Sequence, residues 1–295
     1  MLRSSVLVSL ALLTGCATTY NARWMDPVVP STAVATQSDE AKKLVEEGDA
    51  AWAQREDVAK VREAIAKWEA AAALWSNGDH AARLSRAHYF LGDSFVAVDG
   101  TSEARDAEYV ASLDWSVRAM KLTAPDTVKD LAAGVPMVMA VKKAPKEASE
   151  ALLWYASSLG KWAAMRRVGT RLKYKDELKA VIDHVASIDP SQHGATNRWL
   201  GAYEAQTINI LGGSAERSEA YFKKSLEVAP NYLGTKVLWA QFLCPKTGDK
   251  ALAKKLLEEV VAADPALDAG NVAENKADQH KAKALLASFD TLFAL

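Results

Sequence analysis

Residues 147–175 bring aromatic and basic side chains into one stretch of the chain. Trp154, Ser158 and Trp162 recur four residues apart, so a helix over this region places them on one stripe. Indole faces pack well against the apolar part of a ligand, and an arginine can hold a carboxylate by two parallel hydrogen bonds. The stretch therefore favours one of two structures: an ordinary core helix, or a passage for a small hydrophobic or carboxylate ligand.

The positive charge of this stretch is concentrated in its second half. Six basic residues are present, with no carboxylate between Ala151 and Lys175: Lys161, Arg166, Arg167, Arg171, Lys173 and Lys175. A solvated basic helix end would account for them, and so would the wall of an anion passage. The candidate ligand or pore residues are Trp154, Tyr155, Ser158, Lys161, Trp162, Met165, Arg166 and Arg167.

Residues outside this stretch form no catalytic motif. The five histidines are widely spaced, and none belongs to a His-Glu-x-x-His pair or lies beside a Cys-x-x-Cys. No Gly-x-Ser-x-Gly elbow is present, and Gly212-Gly213-Ser214 lacks the lysine of a phosphate loop. The sequence therefore predicts a protein that is not an enzyme and that uses neither a metal nor a cofactor.

Composition and charge indicate an ordinary globular protein. The chain has 295 residues, of which 49% are hydrophobic and 25% charged, and its formal net charge is -1. Wholesale binding to nucleic acid would require a basic face over most of the molecule. A chain so close to neutrality argues against a nucleic-acid partner.

The first residues have the features of an export signal. Arg3 is followed by a short apolar run from Val6 to Leu13, which is too short to span a bilayer. The run ends in Leu13-Thr14-Gly15-Cys16, the pattern of a bacterial lipobox. Residues 1–15 are therefore predicted to be a lipoprotein signal peptide, and Cys16 the lipidated first residue of the mature protein. Lipoproteins that lack Asp after this cysteine resemble those sent to the outer membrane, so Ala17 favours the outer membrane over the inner.

The mature chain is predicted to divide into a tether and a domain. Residues 16–37 contain two prolines and no helical period, which is typical of a flexible tether behind the lipid. The domain then covers residues 38–295, and Ser38 or Asp39 could cap its first helix. Cys244 has no disulfide partner once Cys16 is lipidated, and we expect it to be a buried small apolar residue.

Nearly every segment of the domain has a helical period, and the helices come in pairs. The clearest repeats of one residue pattern are Ser218, Phe222 and Ser225 with Pro230, and Ala253, Leu257 and Val260 with Pro265. These spacings resemble degenerate tetratricopeptide (TPR) repeats, which stack into a solenoid. The predicted fold is therefore all-α, a TPR-like α-solenoid of stacked antiparallel helix pairs.

A lipobox, degenerate TPR-like units and the segment ALLWYASSLGKW at residues 151–162 together resemble the T component associated with TRAP transporters, the TatT family. The resemblance covers nearly all of residues 38–295. It implies a periplasm-facing lipoprotein, a homotrimer pierced by pores, that binds the solute-receptor (P component) protein of a TRAP system and helps pass a ligand onward. It further implies that Trp154, Lys161, Trp162 and Arg166 could line or edge such a pore.

A second function class is compatible with the same features. TPR lipoproteins also serve as scaffolds that dock peptides or proteins for envelope assembly, gripping them in the concave groove of the solenoid. In that case residues 151–175 are one more helix pair without a pore. The membrane would be contacted through the lipid anchor alone in both cases.

Overall fold

The chain folds into helices throughout its described part. The computed structural model describes residues 17–28 and 37–294, and within these ranges there is no β-strand. The first seven α-helices are α1 (Asp39–Trp52), α2 (Val58–Leu74), α3 (Gly78–Leu91), α4 (Ala97–Asp99), α5 (Ser102–Thr123), α6 (Pro125–Ala132) and α7 (Met137–Ala140). The other eight are α8 (Ser149–Ala164), α9 (Val168–Ile188), α10 (His193–Gln206), α11 (Ala215–Val228), α12 (Gly234–Leu238), α13 (Cys244–Thr247), α14 (Lys250–Ala262) and α15 (Val272–Ala287). The prediction of an all-α fold is confirmed.

Two π-helical turns interrupt the regular helices. One, Gly92–Val96, joins α3 to α4, and the other, Trp239–Leu243, joins α12 to α13. Such turns widen the backbone by one residue and are frequent at functional sites. The first of them contains Asp93.

Side-chain caps determine where several long helices begin. The Ser38 hydroxyl accepts a hydrogen bond from the Ala41 amide at 3.1 Å, so the predicted start of α1 is confirmed. Similar caps are Asp57 on α2, Asn77 on α3, Thr101 on α5, Ser214 on α11 and Asp249 on α14. Each satisfies a backbone amide that has no partner inside its helix and contributes about 1 kcal/mol.

Neighbouring helices approach closely where a glycine of one faces an aromatic ring of the next. A Cβ atom added at Gly48 of α1 would lie 2.4 Å from the Trp68 ring of α2. One added at Gly201 of α10 would lie 2.8 Å from the Phe222 ring of α11. Both rings are fully buried, so they fill the space that a larger residue would need. The pairing of helices follows from these contacts, while their stacking as TPR-like repeats stays a prediction.

We expect Gly48→Ala to destabilise the protein by about 1–3 kcal/mol, because the buried Trp68 ring cannot move aside without disturbing the core. A matched control is Gly160→Ala in α8, where the nearest atom to an added Cβ is 3.9 Å away. That control should be neutral or stabilising by up to about 1 kcal/mol, since alanine favours helix. Urea unfolding measures both, and equal effects of the two substitutions would contradict the packing argument.

The C-terminal helix returns to the N-terminal pair. Ala273 of α15 belongs to the apolar cluster formed by α1, α2 and α3. Arg55, just after α1, donates two hydrogen bonds to the Glu274 carboxylate at 2.8 and 3.2 Å and a third to the Gly270 carbonyl at 2.8 Å. Lys276 also pairs with Glu56. The two ends of the domain are thus joined by direct contacts.

Residues 17–28 lie against the domain. The Thr18 amide donates to the Thr170 hydroxyl at 3.0 Å, and the Tyr20 amide donates to the Tyr174 hydroxyl at 2.8 Å. Trp24 packs on Tyr155, with 6.0 Å between ring centroids. This part of the predicted tether is free of helix, as its sequence suggested, but it is held on the surface of the domain. The lipobox and Cys16 lie outside the described residues.

Two further observations concern the apolar character of the described helices and the thiol of Cys244. Among the described helices, none combines the length and the apolar character that crossing a bilayer requires. Cys244 is fully buried, as expected, and burial raises the pKa of its thiol to about 12. The thiol therefore stays protonated at neutral pH and packs as an apolar group.

Candidate functional site

Helix α8 occupies the middle of the fold and packs against α3, α5 and α9. Its buried small residues, such as Ala156, Ser158 and Ala163, allow these neighbours to come close on several sides. The central position inferred from the many small residues of this segment is therefore what the structure shows. Its larger side chains contact different neighbouring helices.

The two tryptophans of α8 do not line one stripe. Trp154 is half-buried and packs on Tyr89 of α3, with 5.3 Å between ring centroids. Trp162 is buried between Tyr20 of the N-terminal segment and Tyr174 of α9. Eight residues of an α-helix turn through about 800°, which leaves the second indole roughly 80° away from the first. The predicted stripe of two indoles is thus separated into two environments.

The middle of the predicted site is part of the core. The Tyr155 hydroxyl is buried and donates to Glu177 of α9 at 2.7 Å. The Ser158 hydroxyl lies 2.6 Å from that of Ser112 on α5. Met165, at the end of the helix, is half-buried. Tyr155 and Ser158 therefore hold α8 against its neighbours, and neither is open to a ligand.

The basic residues of the predicted site are also dispersed. Lys161 pairs with Asp93 at 2.5 Å. The Arg166 guanidinium forms two hydrogen bonds to Asp106, at 2.7 and 3.0 Å, and stacks 3.6 Å from the centroid of the Trp162 ring. Arg167 is exposed. The expected single cationic wall is therefore not assembled, because carboxylates distant in sequence neutralise its inner members.

The carboxylate of Asp93 is the centre of a largely buried charge cluster. It contacts the ammonium groups of Lys161 at 2.5 Å and Lys281 at 2.6 Å, and it accepts a hydrogen bond from the Tyr109 hydroxyl at 3.2 Å. Asp278, one turn before Lys281 on α15, lies 3.4 Å from the same ammonium group. The cluster joins the π-helical turn after α3 to α5, α8 and α15.

The electrostatics of the cluster keep Asp93 ionised. Burial alone would raise the pKa of Asp93, but Lys161 and Lys281 outweigh burial and hold that pKa well below its usual range. Burial would likewise lower the pKa of Lys281, yet Asp93 and Asp278 raise it. For Asp278, burial wins over the contact with Lys281 and raises the pKa of this carboxyl. The Asp93 and Lys281 charges stabilise each other.

Asp93→Asn should destabilise the fold by about 2 kcal/mol or more, because it leaves the partly buried Lys161 without its carboxylate partner and Lys281 with Asp278 alone. Lys276→Met, which removes the exposed ion pair between α15 and Glu56, is the matched control and should change stability by less than about 1 kcal/mol. Denaturant unfolding at neutral pH checks both. Equal losses would show that the buried cluster contributes no more than a surface pair.

A cleft of about 380 Å³ opens between the N-terminal helices and the start of α8. Its lining residues are Asp49, Trp52, Trp68, Asp79, Arg83, Arg86 and Glu150. Glu150 also accepts a hydrogen bond from the Trp154 indole at 3.3 Å, so the first tryptophan of the predicted site lies at the edge of this cleft. Its volume is within the range of clefts that take small ligands.

The two arginines of the cleft are held in different ways. Arg83 pairs with Asp49 at 2.5 Å, and both side chains are nearly half exposed. Arg86 contacts the buried carboxylate of Glu274 at 2.8 Å, and Arg55 holds the same carboxylate. The Arg86 guanidinium lies 5.8 Å from the Trp52 ring centroid. The pairing of Arg86 is therefore much harder to exchange than that of Arg83.

Sequence reasoning did not identify the residues that line the cleft, and of the charge cluster it identified only Lys161. Arg83 and Arg86 are three residues apart, a spacing that puts them on one face of α3 and gave a usable local signal. Asp93 and Lys281 are separated by 188 residues, and no local pattern relates them. Among the described residues there is no group of His, Cys, Asp and Glu placed to hold a metal ion.

The described part of the chain is thus an all-α protein with an open cleft beside its N-terminal helices. The family described as TRAP transporter T-component matches residues 98–293, two thirds of the chain, and the chain belongs to this family. A TRAP transporter component is associated with the cell envelope, and membership implies a role other than catalysis. No curated protein matches the chain. The match includes α8 and the charge cluster residue Lys281, whereas the α1–α3 residues of the cleft precede it.

Proposed function

We propose that this T component is a periplasm-facing lipoprotein, held in the outer membrane through Cys16, that binds the solute-receptor protein of its TRAP system. In this proposal it passes a small ligand along the cleft between α1–α3 and α8. Family membership supports the transport role, and the cleft is the observation that carries the ligand-binding part. The homotrimer and the passage through a pore belong to the same proposal.

The cleft suggests which ligand chemistry would bind. Trp52 offers a half-buried indole, and its ring lies beside those of Trp68 and Phe90, with centroids 5.4 and 5.5 Å away. An apolar tail would bind against this aromatic wall. A carboxylate would displace Asp49 from Arg83, since a pair this exposed contributes little and is easily exchanged. The ligand is therefore a small amphipathic carboxylate, and Trp154 and Glu150 border its path.

Arg83→Ala should weaken binding of decanoate, used as the probe, by about tenfold, because one charge-assisted hydrogen bond is lost. The matched control is Arg62→Ala on α2, an exposed arginine whose nearest carboxylate is 4.0 Å away. The control should bind like the unmodified protein in isothermal titration calorimetry. Unchanged affinity in Arg83→Ala would contradict the assignment of the carboxylate site.

Receptor binding and oligomeric state test the transport role itself. Light scattering after gel filtration gives the mass of the chain without residues 1–16, alone and mixed with TRAP solute receptors. We expect a trimer whose mass increases with one of the receptors. A monomer that binds none of them would instead favour the scaffold that docks peptides for envelope assembly.

A further inference from the structure

The N-terminal segment leaves the domain at one defined place. Thr18 is hydrogen-bonded to Thr170 in the first turn of α9, and the Lys173 ammonium group donates to the Thr19 hydroxyl. Tyr20 then fixes the segment further in, because its hydroxyl donates to Asp114 at 2.6 Å. Thr18 is the second residue after Cys16 in the sequence, so the part of the chain that follows the predicted lipidation site lies beside the first turns of α9.

The surface around this exit point combines apolar and basic side chains. Val168 and Leu172 are 40% and 41% exposed, and Arg167, Arg171 and Lys173 are exposed as well. Residues 168, 171 and 172 share one side of α9, because residues three and four apart are neighbours on a helix. We call these five residues the anchor-side face.

Two of the three basic residues of the anchor-side face are not neutralised by an ion pair. In the described ranges 17–28 and 37–294, neither Arg167 nor Arg171 has an ion-pair partner. Asp106 pairs with Arg166, Asp114 accepts a hydrogen bond from Tyr20, and Asp176 pairs with Lys175, whereas Glu177 attracts Lys173 electrostatically. The first turn of α9 contains no acidic residue, so its amides add positive potential to the same surface.

We propose that the anchor-side face lies on the anionic phospholipid headgroups of the membrane that holds the lipid anchor. This inference rests on the proposed lipidation of Cys16. Each basic residue near an anionic surface is attracted to it, and exposed valine and leucine side chains can enter the interface between headgroups and acyl chains. Because Thr18 lies beside this face and is only two residues from Cys16 in the sequence, a lipid on that cysteine would hold the face close to the bilayer.

The exposed basic residues that follow α8 would then bind lipid headgroups, a role different from ligand binding. Lys161 and Arg166 form ion pairs with carboxylates inside the domain. Arg167, Arg171 and Lys173 are exposed beside the docked N-terminal segment. Residues 17–28 of the predicted flexible tether are instead docked on the domain. The domain would then have one fixed orientation on the membrane.

Spin labels on the lipidated full-length product test the orientation. One label is attached after the substitution Val168→Cys. The matched control is Val228→Cys, which replaces another exposed valine, on α11. Cys244 is buried and does not compete for the label. The protein is reconstituted in vesicles of phosphatidylethanolamine and phosphatidylglycerol, and collision of each label with a water-soluble nickel reagent and with oxygen is measured.

The label at residue 168 should collide several-fold less with nickel than the label at 228, and more with oxygen. Reversing two charges, by Arg167→Glu with Arg171→Glu, should restore access to nickel, whereas Lys254→Glu with Lys255→Glu on α14 should not. Equal nickel access at 168 and 228 on vesicle-bound protein would overturn the proposal. Protection of the 168 label from both reagents would also overturn it, because it would indicate a protein contact. Protein that does not stay with the vesicles would refute the anchoring on which the proposal rests.

Discussion

The ionic contacts of Asp93 connect parts of the chain that are far apart in sequence. Its carboxylate is placed by a π-helical turn and shared between Lys161 of α8 and Lys281 of α15. The two ammonium groups keep this largely buried carboxylate ionised, and removing the carboxylate would leave Lys161 without a partner and Lys281 with Asp278 alone. The return of α15 to the N-terminal helices, and with it the position of Glu274 beside the cleft, depends on this arrangement and on Arg55.

The cleft shows how the same chemical groups can be structural or available for a ligand. Arg86 and Arg55 share the buried Glu274, which ties them to α15. Arg83 pairs with an exposed aspartate and lies 5.2 Å from the Trp68 ring centroid, and water already competes for its ion pair. A ligand carboxylate would therefore find one arginine that can be released at little cost beside another that keeps the wall in place. Trp52 stays in position because it packs on Trp68 and Phe90.

Burial divides the basic residues between Lys161 and Lys173 into two groups. The first members face inward, where Asp93 and Asp106 neutralise them. The later members begin α9 and face outward beside the docked N-terminal segment. The aromatic contacts of Tyr20 with Trp162 and of Trp24 with Tyr155 hold that segment in place. Two of the predicted ligand residues, Tyr155 and Trp162, are thereby explained as the docking surface for the chain's own N-terminal segment.

Sequence patterns alone were sufficient to predict the helical class, the start of α1 at Ser38, the burial of Cys244 and the family. These properties depend on local periodicity, on capping within one turn, and on residue patterns along the chain. The sequence indicated a helix rich in aromatic and basic residues, but not which of them would reach a ligand. Which basic residues remain available for a ligand depends on the packing of the helices, because Asp93, Asp106 and Glu274 come from distant segments to neutralise particular lysines and arginines. Charge pairing across 60 to 219 residues of chain leaves no local pattern, since the partners meet only when the helices pack.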